Sequence, residues 1–537
     1  MSLLGSARTM AVGTVASRAT GFLRTAVLAA VLGVGGVADA FNVANTAPNI
    51  VYELLLGGIL TSVVVPLLVR AARDSEAAGQ AYAQRLLTAA LLVLGGASVV
   101  LVVLAPQIVD LYAPSSTSPA TRHLAVVFAR FFLPQVLFYG LGAIVGAYLN
   151  TRGRFGPPMW APVLNNLVVI VTGLAFLLVP GPHRLDSASI TSTQVAVVGV
   201  GVTLGIVAQT VALLPALRAT GLRLRLRLDL RGTGLGGAAR LARWTVLYVL
   251  CNQLALLVVV RLALSSGERR GYSSYVYAYL LWQLPHAVVA VSVITALLPS
   301  MSLAAADDRL GELRRQLDRG LRLTVTVLVP AAVTYVVLGR SIATVIFAHG
   351  RVTVPQARFI GEVLAVFACG LVAYSTYQLQ LRAFYALQDT RTPALVNLVV
   401  NVTAVGLDLL LFAVLPDRHK VLGLAAGQAA SYLVGVVVCT RVLARRVPRD
   451  SEGHVLRTTL RCLLAVLPGT AVAAGLAGLV ELGLGTGLLG AALVLVAAAP
   501  LLGVLFVLVA RRLRVHEVDE LARPVLRRLG RGPLVPI

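Results

Sequence analysis

Apolar stretches long enough to cross a bilayer recur along this entire 537-residue sequence, and no soluble fold accommodates them. A hydrocarbon layer roughly 30 Å thick takes about 20 helical residues per crossing. By that measure about fourteen spans are legible. They run at 9–33, 38–69, 86–113, 124–149, 158–180, 193–217, 237–265, 273–303, 318–345, 357–387, 393–416, 421–444, 458–482 and 486–510. The runs are too long and too continuous for the alternating strands of an outer-membrane barrel. The fold class expected is an all-α polytopic membrane protein. Composition agrees, since 13% of the residues are charged where a soluble chain carries about 25%.

The net charge of +24 could point to nucleic acid, but its distribution points to the membrane. Alternate loops are rich in arginine, as at Arg152 and Arg154, at Arg218 to Arg243, at Arg309 to Arg322 and at Arg441 to Arg457. The intervening loops, such as Gly33–Val37 and Gly483–Thr486, are short and poor in charge. This is the positive-inside bias. It predicts a multi-pass protein of the cytoplasmic (inner) membrane with an even number of spans and both termini in the cytoplasm. The run LRLRLRLDL (222–230) reads as a surface strand or an interfacial segment, and the basic loops are expected to meet anionic lipids. No cleavable signal peptide is expected, because spans follow the first apolar segment without an A-x-A-like site. Cys251, Cys369, Cys439 and Cys462 lack pairing or metal spacing and read as small buried hydrophobes.

The first span, TMAVGTVASRATGFLRTAVLAAVL, contains Arg18 and Arg24. A guanidinium at the centre of a lipid-facing helix costs about 2.5–3.5 kcal/mol on insertion scales. Two of them argue for a water-filled interior and an anionic partner. On an ideal helix Thr14, Arg18, Gly21 and Thr25 share one polar face of small residues, with Arg24 about 120° around from Arg18. The two arginines either contact cargo or pair with Asp39 or Glu53 as a gate.

Two segments recur. GAYLNTRGRFGPP (146–158) resembles AFYALQDTRTPA (383–394), and Tyr148/Tyr385, Arg154/Arg391 and Pro48/Pro285 are each 237 residues apart. Repeats of this kind are typical of secondary transporters, with the cargo site between the halves. The expected organisation is an N-terminal six-helix lobe at 1–217, a C-terminal six-helix lobe at 218–450, two further helices at 451–512 and a basic tail at 513–537.

These segments also carry a resemblance. SRATGFLRTAVLAAVLG, ADAFNVANTAPNI, GAYLNTRGRFGPPMWAPVLNN, QLPHAVVAVSVITALLPSMS, IFAHGRVT and AFYALQDTRTP resemble, in order, blocks of the MurJ/MviN family of lipid II flippases. That family belongs to the multidrug/oligosaccharidyl-lipid/polysaccharide exporter superfamily. The resemblance implies two six-helix lobes around a central cavity, plus two C-terminal helices. It also implies movement of the undecaprenyl-diphosphate-linked peptidoglycan precursor lipid II from the inner to the outer leaflet by alternating access. Arg18, Arg24 and Asp39 stand where the family has its first-lobe arginines and a polar partner. Tyr52 stands at a basic position and Gly57 at an acidic one. Leu280 and Gln283 stand at the family's second-lobe arginine and glutamate. Arg261, in LLVVVRLAL, or Arg130 is expected to supply that missing charge, or else to snorkel to a headgroup.

The diphosphate of such a cargo suits arginine, whose planar fork donates two parallel bonds to phosphate oxygens. A second constellation lies at Asn397, Asn401 and Asp408, which share one helical face at i, i+4 and i+11. It reads either as a cation or proton site, completed by Asn252 and Gln253, or as interhelical hydrogen-bond glue. Glu362 is an isolated further acid. No P-loop is present, and the scattered histidines lack metal-ligand spacing. The expectation is a transporter rather than an enzyme, without cofactor or nucleic acid, driven by a Na+ or H+ gradient or the membrane potential. The alternatives are a flippase for another polyprenyl-diphosphate glycan and a cation-coupled drug exporter; the latter calls for acids, not arginines, in the first span.

Overall fold

The structure is a computed structural model. It describes residues 3–54, 68–69, 71, 75–182, 185–222, 225–229, 235–267, 271–448 and 454–521. Among these residues all regular secondary structure is helical. Among the described residues twelve helices are long and apolar enough to cross a membrane, or thirteen if the pair Val354–Cys369 and Leu371–Ala386, bent by 48°, is one span. The expected second span begins as a helix at Gly36–Leu54, and its continuation through Gly57 and Pro66 lies outside the described residues. Contacts divide the chain into two compact units, Met1–Ser273 and Ser274–Ile537.

The first unit comprises α1 (Leu3–Leu32), α2 (Gly36–Leu54), α3 (Glu76–Val103), α4 (Ala105–Tyr112), α5 (Pro119–Phe132), α6 (Gln135–Thr151), α7 (Gly156–Leu177), α8 (Ser192–Val211), α9 (Leu214–Arg218) and α10 (Leu235–Ser265). Gly33 and Gly35, with φ of 78° and 121°, make the turn from α1 to α2 in a backbone region that side chains rarely enter. The helices meet through small residues and buried amides, as membrane interiors require. Asn166 on α7 donates to the Ser17 carbonyl (3.1 Å) and to the Thr20 hydroxyl (3.0 Å) of α1. A Cβ added to Gly173 of α7 would lie 2.7 Å from Val27, so the two helices touch nearly backbone to side chain. Tyr82, Leu86, Ile144, Tyr148, Leu149, Leu213 and Leu217 form the apolar core between α3, α6 and the α8–α9 corner.

The second unit contains α11 (Tyr272–Pro285, beginning at the unit boundary), α12 (Val291–Ala306), α13 (Leu310–Phe347), α14 (Val354–Cys369), α15 (Leu371–Ala386), α16 (Arg391–Val414), α17 (Lys420–Ala444), α18 (His454–Leu484) and α19 (Leu488–Arg512). A π-helical turn, His286–Ala290, joins α11 to α12. It follows Pro285, which lacks a backbone N–H and crowds the carbonyl one turn earlier, so the ladder admits an extra residue there. The two C-terminal helices pack on α13 through Val325, Leu338, Cys462, Val466, Val494, Leu502 and Phe506. Arg358 of α14 grips Glu481 of α18 with two bonds (2.9 and 3.3 Å). Beyond α19, Glu517 accepts from Arg322 (2.7 Å) and Glu520 pairs with Arg319.

Several expectations are corrected. The chain divides at 273/274 rather than at 217/218, because α10 packs on α2 and α4 of the first unit. The two extra helices belong to the second unit's core, not to a separate region. The repeat is visible, but in a shifted register. The turns after α6 and α15 close with the same hydrogen bond, Arg154 N–H to Leu149 O and Asp389 N–H to Phe384 O, both 2.9 Å. Those helix ends lie 235 residues apart, not 237. The described part of 222–230 is not a strand. It lies along α3, with Arg227 N–H donating to the Thr88 hydroxyl (3.0 Å) and Asp229 paired with Arg85 (2.5 Å). Cys251, Cys439 and Cys462 are buried, whereas Cys369 is exposed.

Candidate functional site

Helices α1, α2 and α6 bring two guanidiniums and two phenols together in the first unit. Arg18 acts electrostatically on the Tyr52 phenol, and Arg24 on that of Tyr139. The Tyr52 and Tyr139 rings lie 4.7 Å apart at 45°. Arg18 is exposed and Arg24 half-buried. The Nε of Arg24 is buried with no hydrogen-bond partner among the described residues. A buried donor left unpaired costs about 1–3 kcal/mol, so this cluster is a set of N–H and O–H donors suited to an anionic acceptor. Tyr139 was not legible in the sequence, because it sits in the apolar run QVLFYGLG and only the packing of α6 brings it to Tyr52.

The small polar face expected around Arg18 is largely taken up by helix packing. The Thr14 hydroxyl approaches Met159 (4.0 Å), a Cβ on Gly21 would sit 3.4 Å from Asn166, and Thr25 donates to its own helix at Gly21 O (3.2 Å). Both expected gating partners are engaged by other groups. Glu53 accepts from Gln253 of α10 (2.8 Å). Asp39, 3% exposed, accepts from the backbone N–H of Ser273 (2.6 Å). The Ser273 hydroxyl in turn accepts from Gly35 N–H (3.2 Å). Asp39 thus satisfies a donor of a helix's first turn, where a carboxylate is favoured, and it anchors the α1–α2 turn.

Arg261 is likewise occupied. It belongs to the first unit, and its Nη1 donates to the carbonyls of Leu111 (2.7 Å) and Asp110 (3.3 Å) at the end of α4. Those carbonyls lack helical partners and carry the negative end of the helix dipole, so they attract a cation. The Asp110 carboxylate pairs with Arg122 (3.0 Å). Arg261 therefore caps the end of α4 within the first unit. Arg130 is exposed on α5.

In the second unit Leu280 and Gln283 are half-buried on α11 and bring no charge. Trp282, between them, is fully buried and packs against Phe367 (5.5 Å), Tyr374 (4.8 Å) and Tyr432 (6.0 Å). His286, which sequence reasoning missed, lies 2.9 Å from the Ser375 hydroxyl. Glu362 is neutralised by Arg340 (3.2 Å). Of the second constellation, Asn401 donates to the Asn397 carbonyl of its own helix (2.8 Å), and Asp408 is completely buried. Asn252 and Gln253 lie on α10 of the first unit.

A family model described as "Lipid II flippase MurJ" matches residues 28–516. The chain belongs to the MurJ family. Among curated relatives, a "probable lipid II flippase MurJ" from Rhizobium meliloti (strain 1021) is 30% identical over 415 residues, covering 75% of each chain. A solved "Lipid II flippase MurJ, inward closed conformation" superposes with a TM-score of 0.74 at 18% identity, over 96% of this chain and 99% of that one. An inward-facing multidrug-resistance MATE transporter of the MOP superfamily matches with a TM-score of 0.65 at 16% identity, over 79% and 95%. These two likenesses show a shared fold, and the family match bears out the expected resemblance over residues 28–516.

Proposed function

We infer that the protein is a lipid II flippase of the cytoplasmic membrane, moving the lipid-linked peptidoglycan precursor to the outer leaflet for cell-wall synthesis. The observation that carries this reading is the family match spanning residues 28–516. The chemistry of the first unit supports it. A diphosphate needs several convergent donors, and Arg18, Arg24, Tyr52 and Tyr139 offer guanidinium and phenol donors at one place. Arginine keeps its charge throughout a transport cycle, so the site stays attractive to phosphate at any working pH. A drug exporter that takes up cations calls for acids at this place, and Glu53 is spent on Gln253.

Both termini lie in the cytoplasm in this reading, because the arginine-rich loops alternate with neutral ones. Basic segments beside α3, such as that carrying exposed Arg225 and half-buried Arg227, meet anionic headgroups. The energy comes from an ion gradient or the membrane potential. The test is depletion in the native host, followed by an assay of lipid II exposed at the outer leaflet. Accumulation of inner-leaflet lipid II, relieved by wild type and not by Arg18→Ala or Arg24→Ala, is the expected result. Accumulation of a different polyprenyl-linked glycan would overturn the choice of substrate.

A further inference from the structure

We propose that Asp408 is a proton-binding site whose proton leaves only when α16 and α17 part around Gly427. The Asp408 side chain is 0% exposed, and neither carboxyl oxygen has a hydrogen-bond partner. Gly427 of α17 closes over it, such that a Cβ added there would lie 2.2 Å from Oδ1. An ionised carboxylate in a dry, partnerless interior is far costlier than a neutral acid. The closed pair of helices therefore holds the neutral form, and water must enter before the proton can go.

Among the described residues no counter-charge pairs with Asp408. On α17, Lys420 is held by Asp417 (2.7 Å) and lies over the Phe412 ring (4.4 Å). Tyr432 packs against Tyr374 (4.7 Å), Cys439 is buried, and Arg441 lies in the last turn. On α15, Arg382 lies over Tyr385 and Tyr377 faces Tyr432 (6.2 Å). On α16 itself Arg391 is at the far end. None of these groups bonds or pairs with Asp408. No group of three or more His, Cys, Asp or Glu that could hold a metal ion exists among the described residues. The neighbouring amide of Asn401 is turned onto its own helix.

This inference rests on the membrane fold and not on the identity of the cargo, so the test needs no substrate. Purified protein in phosphatidylethanolamine–phosphatidylglycerol vesicles is examined by infrared spectroscopy at neutral pH, with and without Na+. The expected spectrum has a protonated-carboxyl carbonyl band that is lost in Asp408→Asn and is indifferent to Na+. In D2O that band shifts slowly in wild type and at least about tenfold faster in Gly427→Ala, whose methyl wedges the helices open. Asparagine matches aspartate in size, so the Asp408→Asn comparison carries the test even if Gly427→Ala does not fold. A carboxylate signature for Asp408 at neutral pH overturns the proposal. So does a protonated band that appears only when Na+ is withdrawn, or one that exchanges as fast as surface carboxyls.

Discussion

Replacing Asp39 separates a structural carboxylate from a cargo or gating one. Its Oδ1 accepts the Ser273 N–H at 2.6 Å in a nearly dry pocket, and a Cβ on Gly271 would come within 2.2 Å of Oδ2. Asp39→Ala removes a helix-start acceptor, a loss of about 1–2 kcal/mol. It also strands a buried donor at about 1–3 kcal/mol. These two figures describe overlapping effects, so the expected destabilisation is about 2–3 kcal/mol. Asp39→Asn keeps an oxygen acceptor of the same reach and gives up only the charge–dipole attraction, about 0.3–1 kcal/mol. Thermal unfolding of the detergent-solubilised protein should rank wild type above Asn and Asn well above Ala. Flipping by Asp39→Asn should stay close to wild type. The reasoning is refuted if Asp39→Asn is as stable as wild type yet inactive, since that outcome makes the charge itself part of the transport cycle.

Arg18→Ala and Arg24→Ala should each insert and fold normally, because losing a guanidinium eases insertion, yet fail to support growth; Tyr139→Phe should weaken flipping without touching stability. Arg261→Leu should lose about 1 kcal/mol of stability as the α4 carbonyls lose their cap, while flipping by the folded fraction persists. Gly361→Ala puts a methyl 2.4 Å from Gly339 O and 2.5 Å from Arg340 Cα, and since backbone cannot yield as a side chain can, a loss of about 3 kcal/mol in unfolding stability is expected. Asp389, in the turn before α16, is partly buried, which alone would raise its pKa, but bonds from Thr392 and Arg446 hold it below the usual 3.8. Its contribution to stability is therefore present above about pH 4 and is lost as the pH falls through its depressed value; acid-unfolding profiles of wild type and Asp389→Asn should differ above that window and converge below it.

The membrane fold was legible because the bilayer leaves few choices. Each span must be apolar over its whole length and helical to satisfy its backbone, so runs such as 193–217 and 421–444 announce themselves. Where the chain divides was not legible. The apolar face of α10 reads the same whichever unit it packs on, and only its contacts with α2 and α4 assign it. The shifted repeat register has a similar cause: the motif's Tyr and Arg match by type, whereas the turn's hydrogen bonds fix the helix ends. The tight seam at Gly427 was visible in principle, since Gly423 and Gly427 in LGLAAGQAAS form a small-residue stripe one turn apart.

The charged residues were found but their partners were not, and the reason is reach. A long side chain in a membrane interior goes to whichever acceptor lies within its radius, and helix ends supply carbonyls that no motif records. Arg261 ends on such carbonyls, and Asp39 on the N–H of Ser273. Both look in sequence like members of an ionic site, and both are consumed by backbone. Arg18 and Arg24 differ because they lie well inside α1, where every backbone carbonyl is already bonded within the helix. With Leu280 and Gln283 uncharged, no described residue of α11 takes over their role. In the function proposed above, anion recognition falls on the first unit. There Tyr52, where the resemblance implies a basic residue, would add a neutral donor beside Arg18 instead of a third positive charge. That exchange lowers the repulsion between neighbouring cations when the site is empty and keeps a hydrogen bond for the phosphate when it is filled.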